Sequence, residues 1–150
     1  MSQRERALSA LHRLRDFQHG RQEAAHLLAQ RDERTQHDAL TRARSDLGDA
    51  QQQAGNAGQG LALDLGRAGL VTQVLEGLHD RVAQQLHVHA QAQQRAAAAA
   101  TAHLAAQRQR DQVGDHLALE RDRLQQVQDM RDFDDNSDLL LARLRCGDRT

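Results

Sequence analysis

Large apolar residues recur along one stretch of the chain at helical spacing. Val71, Leu75, Leu78, Val82 and Leu86 follow at steps of three and four, which lines one face of an α-helix. The register runs on into Ala96 to Ala100, a run of the strongest helix former, and no Gly or Pro follows until Gly114. The pattern predicts a long central helix over about residues 70–112, on the order of 60 Å long at 1.5 Å per residue. Its Val71–Leu86 face is the longest sustained apolar stripe, so it is expected to be the best packed part of the molecule and to support self-association.

Upstream, Ser2 and Glu5 form an S-x-x-E capping box that opens a helix. Leu8, Leu11 and Leu14 follow, then Ala24, Ala25, Leu27 and Leu28, then Ala39, Leu40 and Ala43. Gly20 interrupts this run, and the polar stretch Arg31 to Asp38 is expected to fray. Gly48 to Gly60 holds four Gly among Gln, Ala and Asn56. It has no apolar face and reads as a flexible linker. Leu61, Leu63 and Leu65 alternate like a short strand, but no second strand is available to pair with them, so they are taken as the start of the central helix. Beyond Gly114, Asp115 is placed to cap a third helix along Val113, Leu117, Leu124 and Val127. Asp132 to Ser137 reads as a polar break, and Leu139 to Leu144 as a short last helix stopped by Gly147. The expected fold class is all-α, an elongated helical hairpin or loose helical bundle, partly disordered. Its expected segments are residues 1–47, a linker over 48–60, and 61–150.

Composition makes that core thin. Of the 58 hydrophobic residues 25 are Ala, while Leu, Val and Phe together number 30 of 150. The aromatics are Phe17 and Phe133 alone. A tight globule is not expected from so few large side chains; elongated paired helices of coiled-coil type ask less of a core. Formal net charge is -1, which argues against a nucleic-acid binder relying on bulk positive charge and against a polybasic membrane-surface protein. No run approaches a membrane-spanning length, and Met1 to Arg15 lacks the apolar core of a secretory signal. The expectation is a soluble, cytoplasmic protein.

Candidate chemistry is sparse. His12, His19 and His26 are spaced by seven, with Asp16 and Glu23 between them. Asp16/His19, Glu23/His26 and, elsewhere, Glu76/His79 are acid-x-x-His pairs, a spacing that lets a carboxylate and an imidazole share an ion on a helix. Such a centre also needs inward carboxylates from further helices, and the remaining Glu5, Glu33 and Glu120 sit on no clean apolar face. The expected outcome is a solvated polar stripe, with a metal site on Asp16, His19, Glu23 and His26 as a distant third reading. His87 and His89 would chelate only on a strand. Cys146, the lone thiol, precludes a disulfide within the chain and a Cys-based zinc site. The Gly55, Gly58 and Gly60 cluster is followed by no Gly-Lys-Ser/Thr. No nucleophile–base–acid arrangement stands out. No enzymatic activity, cofactor or small-molecule ligand is expected.

Absences carry further information. Lys, Ile, Tyr, Trp and Pro are missing, while Gln number 21, Asp 16 and Glu only five. Helix preference would favour Glu over Asp and would use some Lys. The genetic code offers an account. In matched codons of the complementary strand, Gln becomes Leu, His becomes Val or Met, and Asp becomes Val or Ile. The five absent residues would need complements such as CTT, GAT, GTA, CCA or codons ending in GG, most of them disfavoured in a GC-rich genome. Two function readings follow: a helical protein with at most a helix-mediated interaction or scaffold role, and the translation of an open reading frame opposite a GC-rich gene, with no selected function.

Overall fold

The computed structural model describes residues 2–57 and 65–147. They form two helices, α1 (Gln3–Ala57) and α2 (Leu65–Gly147), packed as a helical hairpin. No strand occurs among the described residues. Ser2 caps α1: the Glu5 amide donates to Ser2 Oγ at 3.0 Å and the Arg6 amide to the Ser2 carbonyl at 3.1 Å. This satisfies two of the amides that a helix start leaves without partners. The Glu5 carboxylate does not close the reciprocal half of the box; it pairs with Arg121 on α2.

Both helices are longer than the sequence pattern predicts. The stretch from Gly48, expected as a linker, is α-helical as far as Ala57; Gly58, Gly60, Leu61 and Leu63 lie outside the described residues. Helix α2 runs through Gly114, Asp115 and the polar Asp132–Ser137 stretch without a break, so the central helix is not confined to 70–112 and, among the described residues, no third or fourth helix starts. The physical reason is the same throughout. A Gly costs a helix only about 1 kcal/mol, and Gln, Ala, Leu and Arg on either side favour it. Pro, the residue that would stop it, is absent.

The packing divides into two units. In the unit Arg21–Leu104, the side of α1 turned to α2 is Gln22, His26, Ala29, Glu33, Gln36, Leu40, Ala43, Leu47, Ala50 and Ala54. The facing side of α2 is Leu75, Leu78, Val82, Gln85, His89, Ala92, Ala96, Ala99 and His103. Steps alternate between three and four, the spacing that near-parallel helix axes bury. The two helices of this unit run in opposite directions: Asp32 meets Arg95, and Asp46, further along α1, meets Arg81, earlier on α2. Leu40, Ala43 and Ala92 are the buried apolar residues here. In the other unit, Leu8, His12, Arg15 and His19 of α1 face Ala106, Arg110, Val113, Leu117, Glu120 and Leu124 of α2, and Leu117 is the buried apolar residue.

The Val71–Leu86 face is therefore only partly a core. Leu75, Leu78 and Val82 are half-buried against α1, whereas Val71 and Leu86 are exposed. Gln85, not Leu86, keeps the step of three after Val82.

Candidate functional site

Several histidines and glutamates lie between the helices of each unit. In the unit Arg21–Leu104, His26 and His103 stack across the interface, with ring centroids 5.6 Å apart and planes at 10°. The Gln30 amide donates to His26 Nε2 at 3.0 Å. His26 Nδ1 is buried and has no hydrogen-bond partner. About two turns further along α1, His89 Nε2–H donates to Glu33 Oε1 at 3.0 Å, and the His89 ring lies 5.4 Å from His37 in a tilted arrangement. Arg95–Asp32 at 3.2 Å and Arg81–Asp46 at 3.7 Å flank the interface. Both pairs are largely solvated, so each contributes about 1 kcal/mol or less.

In the other unit, Arg110 Nη1 donates to His19 Nδ1 at 3.5 Å, and Arg15 Nη1 donates to Gln18 Oε1 at 2.8 Å and Gln109 Oε1 at 2.9 Å. Glu5, buried, accepts from Arg121 Nε at 3.4 Å. Glu120 pairs with Arg4 at 3.7 Å and accepts from Ser2 Oγ at 3.4 Å. An open groove of about 720 Å³ runs from Glu5 and Arg121 to Arg131, Asp132 and Asp135. Its lining mixes both charges and contains no Ser, Thr or Cys nucleophile beside a base.

The stripe expected to be solvated is so only in part: His12, His19 and His26 are half-buried and turned to α2, while Asp16 and Glu23 are exposed. The four candidate metal residues are thus split between two sides of α1. Residues seven apart on a helix are also about 10 Å apart along its axis. Among the described residues, no three His, Cys, Asp or Glu side chains are grouped to hold an ion. Glu76 and His79 are both exposed, and His79 Nδ1–H donates to the Leu75 carbonyl at 2.8 Å. His87 and His89 diverge, as a helix requires: His87 is exposed with Gln91, and His89 faces α1. The Cys146 side chain lies outside the described residues. Glu5, Glu33, His89 and His103 are interface groups that the pattern of acid-x-x-His pairs did not pick out. The signal was present, because Glu5, His12, His19, His26, Glu33 and Leu40 recur every seven residues.

Outside the interface, large apolar side chains face solvent: Leu11, Leu14, Phe17, Leu27 and Leu28 on α1, and Leu70, Val74, Leu86 and others on α2. Among the described residues no helix is long and apolar enough to cross a membrane. Comparison of the chain with protein-family models, with curated proteins and with solved structures finds no match.

Proposed function

We propose that the chain is a helical interaction or scaffold protein that associates through apolar residues left exposed on its helix faces. The observation that carries this reading is the surface around the start of α2. Leu70 is 65% exposed and Val74 58%, with Val71 beside them, and an open groove of about 330 Å³ runs between this segment and Ala50 and Ala54 of α1. Exposed apolar residues in a contiguous patch mark contact surfaces more often than isolated ones do. The alternating steps of three and four support pairing of coiled-coil type within each unit. On this reading the protein is cytoplasmic, self-associates, and has no catalytic role. Val74→Asp should then weaken association without unfolding the helices, because it places a charge where a partner must desolvate it. Sedimentation as a function of concentration measures this; a parent chain that stays monomeric throughout overturns the reading.

A second reading has its own observation. Between residues 11 and 36 the α1 positions turned to α2 include, apart from Ala29, His12, Arg15, His19, Gln22, His26, Glu33 and Gln36, while Leu11, Leu14, Phe17, Leu27 and Leu28 point away. Selection for a hairpin would place those residue types the other way round. That inversion supports an open reading frame opposite a GC-rich gene, with no selected function. Gln, His, Asp and Asn number 48 of 150 residues, and every one decodes on the opposite strand as Leu, Val, Met or Ile. The nucleotide sequence tests it. An uninterrupted opposite frame requires that none of the 22 Leu is encoded by TTA or CTA and none of the four Ser by TCA. Several such codons would end this reading.

A further inference from the structure

We propose that the end of α2, Asp129 to Leu144, is a docking surface for a second copy of this chain, seated antiparallel with the two Ser137 residues face to face. This rests on the reading of the chain as an interaction protein and names its partner.

The starting point is the unequal length of the helices within this unit. The inter-helix ion pairs end at Glu120 and Arg121, opposite the first residues of α1. Helix α2 continues to Gly147, on the order of 40 Å further at 1.5 Å per residue. Every described side chain from Gln125 to Leu144 is exposed except Ser137, which is half-buried. A helix that packs against nothing keeps only its own propensity, since most helical stability in proteins comes from packing an apolar face. This one is also rich in weak helix formers, with five Asp between 129 and 144 together with Asn136 and Ser137. Its helical state calls for packing that one chain does not supply.

The apolar residues of the extension form one stripe. Met130, Phe133, Ser137, Leu140 and Leu144 follow at steps of three and four, with Leu141 beside them, and Met130 and Phe133 are 70% and 71% exposed. The stripe lies on the side of α2 away from Leu117 and Leu124, the residues that face α1. Its spacing is nearly symmetric about Ser137, with Met130 and Leu144 seven residues to either side and Phe133 and Leu141 four. An antiparallel second copy therefore sets Met130 against Leu144 and Phe133 against Leu141 and its neighbour Leu140, twice over, by one two-fold operation. Charge selects the direction. On one flank of the stripe, Arg143 of one copy comes opposite Asp129 and Asp132 of the other. A parallel arrangement sets opposite flanks together and would instead bring Asp129 of one copy beside Asp134 of the other. The antiparallel pair bears one like-charge approach on its second flank, Asp134 of one copy near Asp138 of the other. With a contact only about 16 residues long, the pair belongs among small, reversible interfaces.

The test uses the full chain with Cys146→Ser. Ser137→Cys should form a disulfide-linked dimer under mild oxidation, because the two-fold places that position against itself, whereas Met130→Cys should not. Phe133→Asp, at an exposed site, should keep the parent's helical circular dichroism and weaken the dimer about tenfold or more by sedimentation. Cross-linking of both single-Cys variants would mean a parallel pair and overturn the antiparallel assignment. Self-association unaffected by Phe133→Asp, with no Ser137→Cys cross-link, overturns the docking surface but leaves the interaction reading standing on the Leu70–Val74 patch. A chain that is monomeric at every concentration overturns both.

Discussion

Replacing His26 by Leu should stabilise the protein. His26 sits in the α1 side turned to α2, where Gln30 donates to its Nε2 at 3.0 Å. The ring proton of the neutral imidazole is then on Nδ1, which is buried and has no partner. A buried donor left unmade costs about 1–3 kcal/mol, and Leu removes it. Leu also brings a half-buried apolar side chain, which contributes about 1 kcal/mol. Against this stand the lost acceptor for Gln30, which water can replace, and the lost stack on His103, together about 1 kcal/mol. The net gain is about 1–3 kcal/mol. For a chain of 150 residues each kcal/mol moves the midpoint by about 2–4 °C, so Tm should rise by roughly 2–12 °C. Thermal melting followed by far-UV circular dichroism reads the shift. His26→Gln, which keeps a polar group at the position, should gain little. A His26→Leu variant that melts at or below the parent refutes the reasoning, because the imidazole would then be better satisfied at the interface than a Leu.

Three further outcomes follow from the same packing. Gly48→Ala and Gly55→Ala should each raise Tm, by up to about 1 kcal/mol of helix propensity, since both positions are helical with nothing within 4 Å of an added Cβ; a loss of stability in melts of both variants would mean the stretch is not helical in solution. Ala92→Leu should destabilise by about 1–3 kcal/mol, because Ala92 is 0% exposed between the helices, and a denaturant midpoint equal to the parent's would show that the helices are not in close contact there. Zinc titrated by calorimetry should bind no more tightly than to dispersed surface imidazoles, with His19→Ala plus His26→Ala changing nothing; a stoichiometric, tight site lost in that variant would contradict the separation of those rings along α1.

The type of fold was legible because helix formers dominate and Pro is absent; the boundaries were not. Gly48, Gly114 and the Asp132–Ser137 stretch look like punctuation, yet each costs a helix only modest propensity, and long flanking segments carry the helix across. The choice of interface was less legible still. Apolar periodicity points to Val71, Leu75, Leu78, Val82 and Leu86, and the interface takes the middle three and then turns to Gln85 and His89. The histidines at 12, 19 and 26 were visible as a face, but residue type assigned that face to water. The seven-residue recurrence from Glu5 to Leu40 was the better guide, because a shallow crossing buries positions by spacing before it selects them by chemistry.

That recurrence also explains why polar residues are buried while Leu27 and Leu28 are not. Within the unit Arg21–Leu104, the α1 positions nearest Ala57 that face α2 are Leu40, Ala43, Leu47, Ala50 and Ala54, all apolar. A helix is stiff, so the face they present fixes the face presented about one to five turns earlier. Counting back in steps of three and four reaches Gln36, Glu33, Ala29, His26 and Gln22. Turning α1 by about 100°, one residue's rotation, would bring Leu27 inward. The same turn would swing Leu40, Ala43 and Leu47 out, and Leu40 and Ala43 are two of the three buried apolar residues of this unit. The polar groups inherit their burial from the register of the apolar end. His26 and Glu33 then pair with what α2 offers opposite them, His103 and His89, which needs no ligand to account for it. Their presence at the interface is a cost carried by the register, and the gain expected of His26→Leu measures that cost directly.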